Sequence, residues 1–152
     1  MLIKNYFHLL IILCLVSLPL PCLSETDYIG SLRKTKGPVS IITPQGDVKK
    51  TKDGDYVYQG DTVKTEKKGS VGIIFRDNSR ISLGSDSELE LTKYIYQPRK
   101  KKFGMLSKLS KGTASYLSGK LSKLSPDSVR FKTPDATIGA RGTSLFIKVE
   151  ED

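Results

Sequence analysis

The chain is predicted to be all-β, a short twisted roll of strands forming a single domain behind a signal peptide. Three observations lead there. Short runs of β-branched and apolar residues recur about every 8–12 residues, as in sandwiches and barrels. Gly, Pro, Asp and Asn punctuate those runs, and each of these residues favours turns for its own conformational reason. No long segment of clear helical period connects them, so the strands have to protect their own edges by rolling up, as a sandwich, a barrel or a short solenoid.

The N-terminus sets the compartment. Met1 to His8 carries Lys4, and an apolar run follows from Leu9 to Leu20. Then Pro21-Cys22-Leu23-Ser24 gives way to Glu25-Thr26-Asp27. A cationic start, an apolar stretch of about 7–15 residues and small residues before a polar shift mark a secretory signal peptide. The run is short for a ~30 Å hydrocarbon core, and Pro19 and Pro21 end it. Cys22 and Ser24 are small enough to flank a cleavage after Ser24, which makes residues 1–24 the leader. Retention as an anchor stays open. A lipid-modified Cys22 is disfavoured, because Leu20-Pro21 precedes it where small residues normally stand.

Removing that leader takes away Cys14, Cys22 and the single histidine, His8. From Glu25 onward the chain has no Cys, His or Trp. Disulfides, thiolate or imidazole metal sites and Cys- or His-based nucleophilic systems are therefore not expected, and neither is a metal or cofactor. Only Lys4 is lost from a net charge of +9, so the exported part stays strongly basic.

Each strand can be read in turn. Residues 25–36 are taken as a short lead-in and 37–149 as the domain, with 150–152 an acidic tail. Val39 to Ile42 lies between Gly37-Pro38 and Pro44-Gln45-Gly46-Asp47. Tyr56-Val57-Tyr58 stops at Gln59-Gly60-Asp61, and Thr62 to Thr65 runs into Glu66-Lys67-Lys68-Gly69. Ser70 to Phe75 is the most apolar run. Arg80-Ile81-Ser82-Leu83 and Ser87 to Thr92 alternate polar with apolar, the period of half-buried strands. Val129 to Thr133 and Arg141 to Phe146 flank a Thr-Pro turn.

Arg99 to Leu124 fits less easily. Phe103, Leu106, Leu109, Leu117, Leu121 and Leu124 fall at spacings near three and four, as on a basic amphipathic helix. Gly104, Gly112 and Gly119 weaken that helix by ~1 kcal/mol each against Ala. Lys111 to Leu117 reads as a turn into a strand, and the strand reading is favoured.

These motifs resemble the FecR-type domain family. Gly37-Pro38-Val39 and Gln59-Gly60-Asp61-Thr62-Val63-Lys64-Thr65 are similar to the family's early Gly-Asp-x-Val-x-Thr segment. Ile73 to Gly84 resembles its central strand, Asp-Gly-Ser turn and strand. Here Asn78 stands in the Gly position, and Asn tolerates the same left-handed backbone. Lys111-Gly112-Thr113-Ala114 and the Thr133-Pro134…Arg141-Gly142-Thr143…Phe146 ending complete the likeness. The resemblance implies an elongated twisted β-solenoid or sandwich-like fold and a binding or signal-relay role at the periplasmic side or cell surface. Gly60, Asp61, Thr65, Asp77, Ser79, Thr133, Pro134, Arg141, Gly142, Thr143 and Phe146 are its motif residues, expected to be structural. Arg141 is expected to be buried and multiply bonded, pinning the last strand, with Gly142 allowing close backbone approach; a ligand-binding Arg141 is the less common alternative. The iron-sensing regulators of the family place a sigma-factor-inhibiting domain and a membrane helix ahead of this domain. Only the leader does so here, so direct sigma-factor control is not expected and the chain reads as the bare domain.

The expected function is a non-enzymatic exported interaction module that binds an envelope protein and relays a signal. An alternative partner is an anionic envelope polymer or lipid. It would be held by Arg99, Lys100, Lys101, Lys102, Lys108, Lys111, Lys120 and Lys123 and would weaken steeply with salt. Nucleic acid, the default partner of a basic domain, is set aside by the leader. A third class, glycan hydrolysis by Glu88 and Glu90 on one strand face, competes with simple solvent-facing alternation. Asp53, Asp55 and Asp61 suggest turn chemistry over calcium ligation, lacking a bidentate Glu. Tyr56, Tyr58, Tyr94, Tyr96 and Tyr116 could line a glycan-binding face, or reflect strand propensity.

Overall fold

In the computed structural model, residues 27–142 and 144–150 are described. The proposed leader with Cys22, Thr143 and the last two tail residues lie outside them. Twelve strands form among these residues, and the central ones, such as Thr62–Thr65, Ser70–Phe75 and Arg80–Leu83, alternate buried with more exposed positions. They are β1 (Gly30–Lys36), β2 (Val39–Ile42), β3 (Val48–Lys50), β4 (Tyr56–Val57), β5 (Thr62–Thr65) and β6 (Ser70–Phe75). Then come β7 (Arg80–Leu83), β8 (Glu88–Gln97), β9 (Lys102–Leu117), β10 (Val129–Lys132), β11 (Thr137–Gly139) and β12 (Ser144–Val149). One short helix, α1 (Lys120–Leu124), interrupts the series.

β9 organises the sheet. Its first half pairs with β8 on one side and, in parallel, with β10 on the other; its second half pairs with β7 and β12. The sheet therefore has two arms, β4-β1-β6-β7 and β3-β2-β5-β8, both ending on β9. The hinge between them is Gly112, at φ +86. A Cβ there would lie 2.2 Å from the Ser87 Oγ and 2.5 Å from its Cα, so only glycine lets the strand turn at that point. Two register shifts between β8 and β9 add twist where the sheet curls. The result is a curled half-barrel in one domain.

The arms close over one apolar core. Leu32, Ile73, Ile81 and Phe75 come from the first arm, and Val63, Leu89, Leu109 and Phe131 from the second, each at most 2 % exposed. Burying a side chain of this size stabilises by about 1.5–3 kcal/mol. Phe75 of β6 stacks on Tyr94 of β8 with centroids 5.4 Å apart, which joins the arms directly. Tyr116 and Phe131 meet at 5.3 Å deeper along β9.

Several strands match the pattern to the residue, while β1, β3 and β11 (Thr137–Gly139) were not read from it. β1 lies within the stretch read as a lead-in, yet Gly30 to Lys36 pairs with β4 and β6 and Leu32 is fully buried. Its Arg33-Lys34-Thr35-Lys36 half looks like a charged loop because a bulge near Lys34 (φ 52) breaks the alternation. β3 is exposed throughout and carries no buried signal. Arg99 to Leu124 is mainly the strand β9 with α1 after it, and Lys111-Gly112 is a bend inside β9 instead of a turn before a new strand.

Candidate interaction surfaces and the motif residues that frame them

The motif residues of the two Asp-bearing turns are buried. Asp77, in the turn between β6 and β7, is fully buried. Its carboxylate accepts hydrogen bonds from the Ser79 hydroxyl (2.7 Å), the Tyr94 hydroxyl (2.9 Å) and the Leu121 amide (3.0 Å). The Asp77 carbonyl accepts from the Lys120 amide at 2.8 Å. One side chain thus ties the first arm, the second arm and the start of α1 together. Asn78 takes φ 64 in this turn, the left-handed backbone expected of it. Gly119 seats α1 against the turn: a Cβ there would lie 2.2 Å from the Ser79 nitrogen and 2.5 Å from the Asp77 carbonyl oxygen.

Burial and the Asp77 charge push the Tyr94 hydroxyl well above the ordinary tyrosine range. Burial, then the same charge, raises Tyr116 to about 12. Ser122 and the Gly119 backbone pull Tyr116 slightly the other way, but neither completes a hydrogen bond, and its hydroxyl is buried without a partner.

Thr65 and Asp61 do similar work around β5. The Thr65 hydroxyl donates to the Gly84 carbonyl (2.6 Å) and accepts from the Ser87 amide (2.9 Å). Ser87 continues the chain of contacts, its Oγ accepting from the Thr113 amide at 2.9 Å beside the β9 hinge. Asp61 accepts from the Tyr58 amide at 2.8 Å, while burial raises its carboxyl and that bond partly offsets the rise. The Gly60 amide donates to Leu91 at 2.8 Å. Asp53 accepts from the Thr35 (2.6 Å) and Lys34 (3.1 Å) amides, which hold its carboxyl low, and Asp55 accepts from Lys52. The three carboxylates are engaged in turns, each on backbone amides. Thr133 closes the β10–β11 hairpin, accepting from the Ala136 amide at 3.1 Å around exposed Pro134.

The Arg141 expectation is corrected. Its side chain is 78 % exposed and pairs with Asp127 at 2.7 Å. Gly142 has no atom within 4 Å of a Cβ position, so it serves a φ of +128 and not a close approach. Arg141 and Gly142 are exposed, directly after Ala140, which is buried in the core. Phe146, another motif residue, lies on the outer face of β12 and is 68 % exposed.

The remaining candidates are scattered. Arg99 and Lys100 form a turn capped by Lys101, and Lys102 begins β9. Lys108 and Lys111 lie on the second arm, whereas Lys120 and Lys123 sit on α1. These eight do not form one face, because linear spacing ignores the register that separates them. Register instead puts Lys93, Lys108, Arg130 and Lys132 on neighbouring positions of β8, β9 and β10. The signal missed was alternation within β10, where Arg130 and Lys132 share a face. Glu88 lies 3.8 Å from Lys64, and Glu90 accepts from the Thr92 hydroxyl, both as strand-face neighbours. The tyrosines form no common face either: Tyr94 and Tyr116 are in the core, and Tyr56 and Tyr58 are outside it.

Among the described residues the far edge of β12 pairs with no strand, and neither do those of β3, β4 and β11. No helix there is long and apolar enough to cross a membrane.

A single-domain curled half-barrel locked by buried turn carboxylates and hydroxyls, with open strand edges, is the class of β-module the fold defines. The chain belongs to the FecR protein family, whose profile matches residues 61–152. A solved structure described as a cell surface anchoring domain is 36 % identical, covering 43 % of this chain and 87 % of that one, with a TM-score of 0.42. No curated protein matches the chain.

Proposed function

We propose that the protein is a non-enzymatic, envelope-associated interaction module that binds a protein partner through the open edge of β12. Family membership and the leader-like N-terminus support the location. The observation that carries the binding mode is β12 itself: it is held on one side by β9, pairs with no strand on the other among the described residues, and displays Phe146 to solvent. An incoming strand would gain main-chain hydrogen bonds, with Phe146 as an apolar anchor. Gly60, Asp61, Thr65, Asp77, Ser79, Thr133 and Pro134 serve the scaffold, and signal relay would follow from the partner engaged. Pull-down from envelope extracts with the wild-type chain and with Phe146→Asp tests this. A partner recovered by the first and lost by the second is expected; equal recovery by both, with the fold intact, argues against the β12 edge.

A further inference from the structure

The second arm carries a groove of about 420 Å³ on the outside of β8, β9 and β10. Gly104 and Leu106 of β9 and Lys93, Arg130 and Lys132 line it on one face of the sheet, while the Phe103 ring turns inward onto Tyr96. The groove exists partly because Gly104 has no side chain, and the Lys93 stem lies 3.7 Å from where a Cβ would be.

Its charge is uncompensated. Asp127 also lines the groove, but Arg141 holds it at 2.7 Å. Lys132 stands directly across from Lys108 on the adjacent strand. Like charges so placed are destabilising. Glu90 stands across from Lys108 on its other side and keeps its charge, so it offsets Lys108, which lies outside the groove lining, and not Lys93, Arg130 or Lys132. Among the described residues no carboxylate comes within ion-pair distance of Lys93, Lys108, Arg130 or Lys132. Strand spacing of ~4.8 Å and a two-residue step of ~6.6 Å set the distances between these four positions. Keeping such a cluster unpaired costs stability, as functional surfaces often do.

We infer that this groove is a binding site for an acidic glycan. Sugar rings would lie over Gly104 against Leu106, and their carboxylate or phosphate substituents would meet Arg130, Lys132 and Lys93. The concave shape and half-buried apolar floor fit a polymer chain better than a flat lipid surface. The inference rests on the envelope location given above. It uses a surface separate from the β12 edge, so Phe146→Asp and the groove variants fail independently.

The test is titration of the full chain with polygalacturonate, with phosphorylated dextran, with neutral dextran and with phosphatidylglycerol vesicles, at low and moderate salt. Binding to one or both acidic glycans, weakening with salt and absent for neutral dextran, is expected; the tighter of the two identifies the acid group. The triple variant Lys93→Gln, Arg130→Gln, Lys132→Gln should bind at least about tenfold more weakly. Lys36→Gln, Lys67→Gln, Lys68→Gln removes equal charge around the β5–β6 turn and should bind within about twofold of wild type. The exposed substitutions should leave the denaturation midpoint unchanged or raised. Equal losses in both triple variants, or binding to vesicles alone, overturns the proposal.

Discussion

Removing the Asp77 carboxylate should be the most damaging single change outside the apolar core. In Asp77→Ala three short hydrogen bonds disappear, at 2.7, 2.9 and 3.0 Å. The donors left behind on Ser79, Tyr94 and Leu121 are enclosed, so water cannot replace the lost acceptor. A bond to a charged acceptor contributes about 1.5–3 kcal/mol, and an orphaned buried donor costs a similar amount. Because the three share one partner they do not add, and a loss of about 4 kcal/mol is a reasonable expectation. Against a typical total of about 5–15 kcal/mol, this leaves a marginal fold. Asp77→Asn keeps one acceptor oxygen but turns an amide toward a donor, and should lose about 2 kcal/mol. Urea denaturation followed by far-ultraviolet dichroism gives both values. Amide exchange at Leu121 adds a local readout, since α1 should open first when its anchor is gone. An Asp77→Ala chain within about 1 kcal/mol of wild type, with Leu121 still protected, would refute the reasoning.

Other outcomes follow from the same contacts. Gly119→Ala forces a methyl to within 2.2 Å of the Ser79 nitrogen, and should cost about 1–3 kcal/mol by the same denaturation assay. Arg141→Ala removes an exposed ion pair, so its midpoint should shift by less than about 1 kcal/mol equivalent. Raising the pH tests the buried tyrosines. Tyr116 ionises near 10.0 when unfolded and at about 12 when folded. Its contribution is therefore whole below pH 10.0, falls as the unfolded chain ionises above it, and is fully lost as pH passes about 12. The loss is about 3 kcal/mol from Tyr116 alone. Tyrosinate absorbance should show Tyr116 and Tyr94 titrating above the ordinary tyrosine range, or only on unfolding.

Alternation and turn chemistry made the central strands legible, because their burial is one-sided and their turns hold Asp, Asn and Gly. β1 was not, since its bulge at Lys34 interrupts the period, and β3 was not, since nothing in it is buried. Asp61, Thr65, Asp77 and Ser79 stood out as motif positions, although their hydrogen-bond partners did not. Tyr94, Ser87 and the Leu121 amide reach them across 17 to 44 residues, a relation that only the curl of the sheet creates. Arg141 shows the opposite failure: a motif position was assigned depth that its exposed place after Ala140 does not give it. The basic groove was invisible because its residues come from three strands, two of which pair in parallel.

The binding mode is tested most directly by amide exchange on the complex recovered from the envelope. Slowed exchange across Ser144 to Val149, with β3 and β4 unchanged, is the result expected of strand addition at β12. Unchanged exchange in β12, with protection confined to another edge or face, would contradict it.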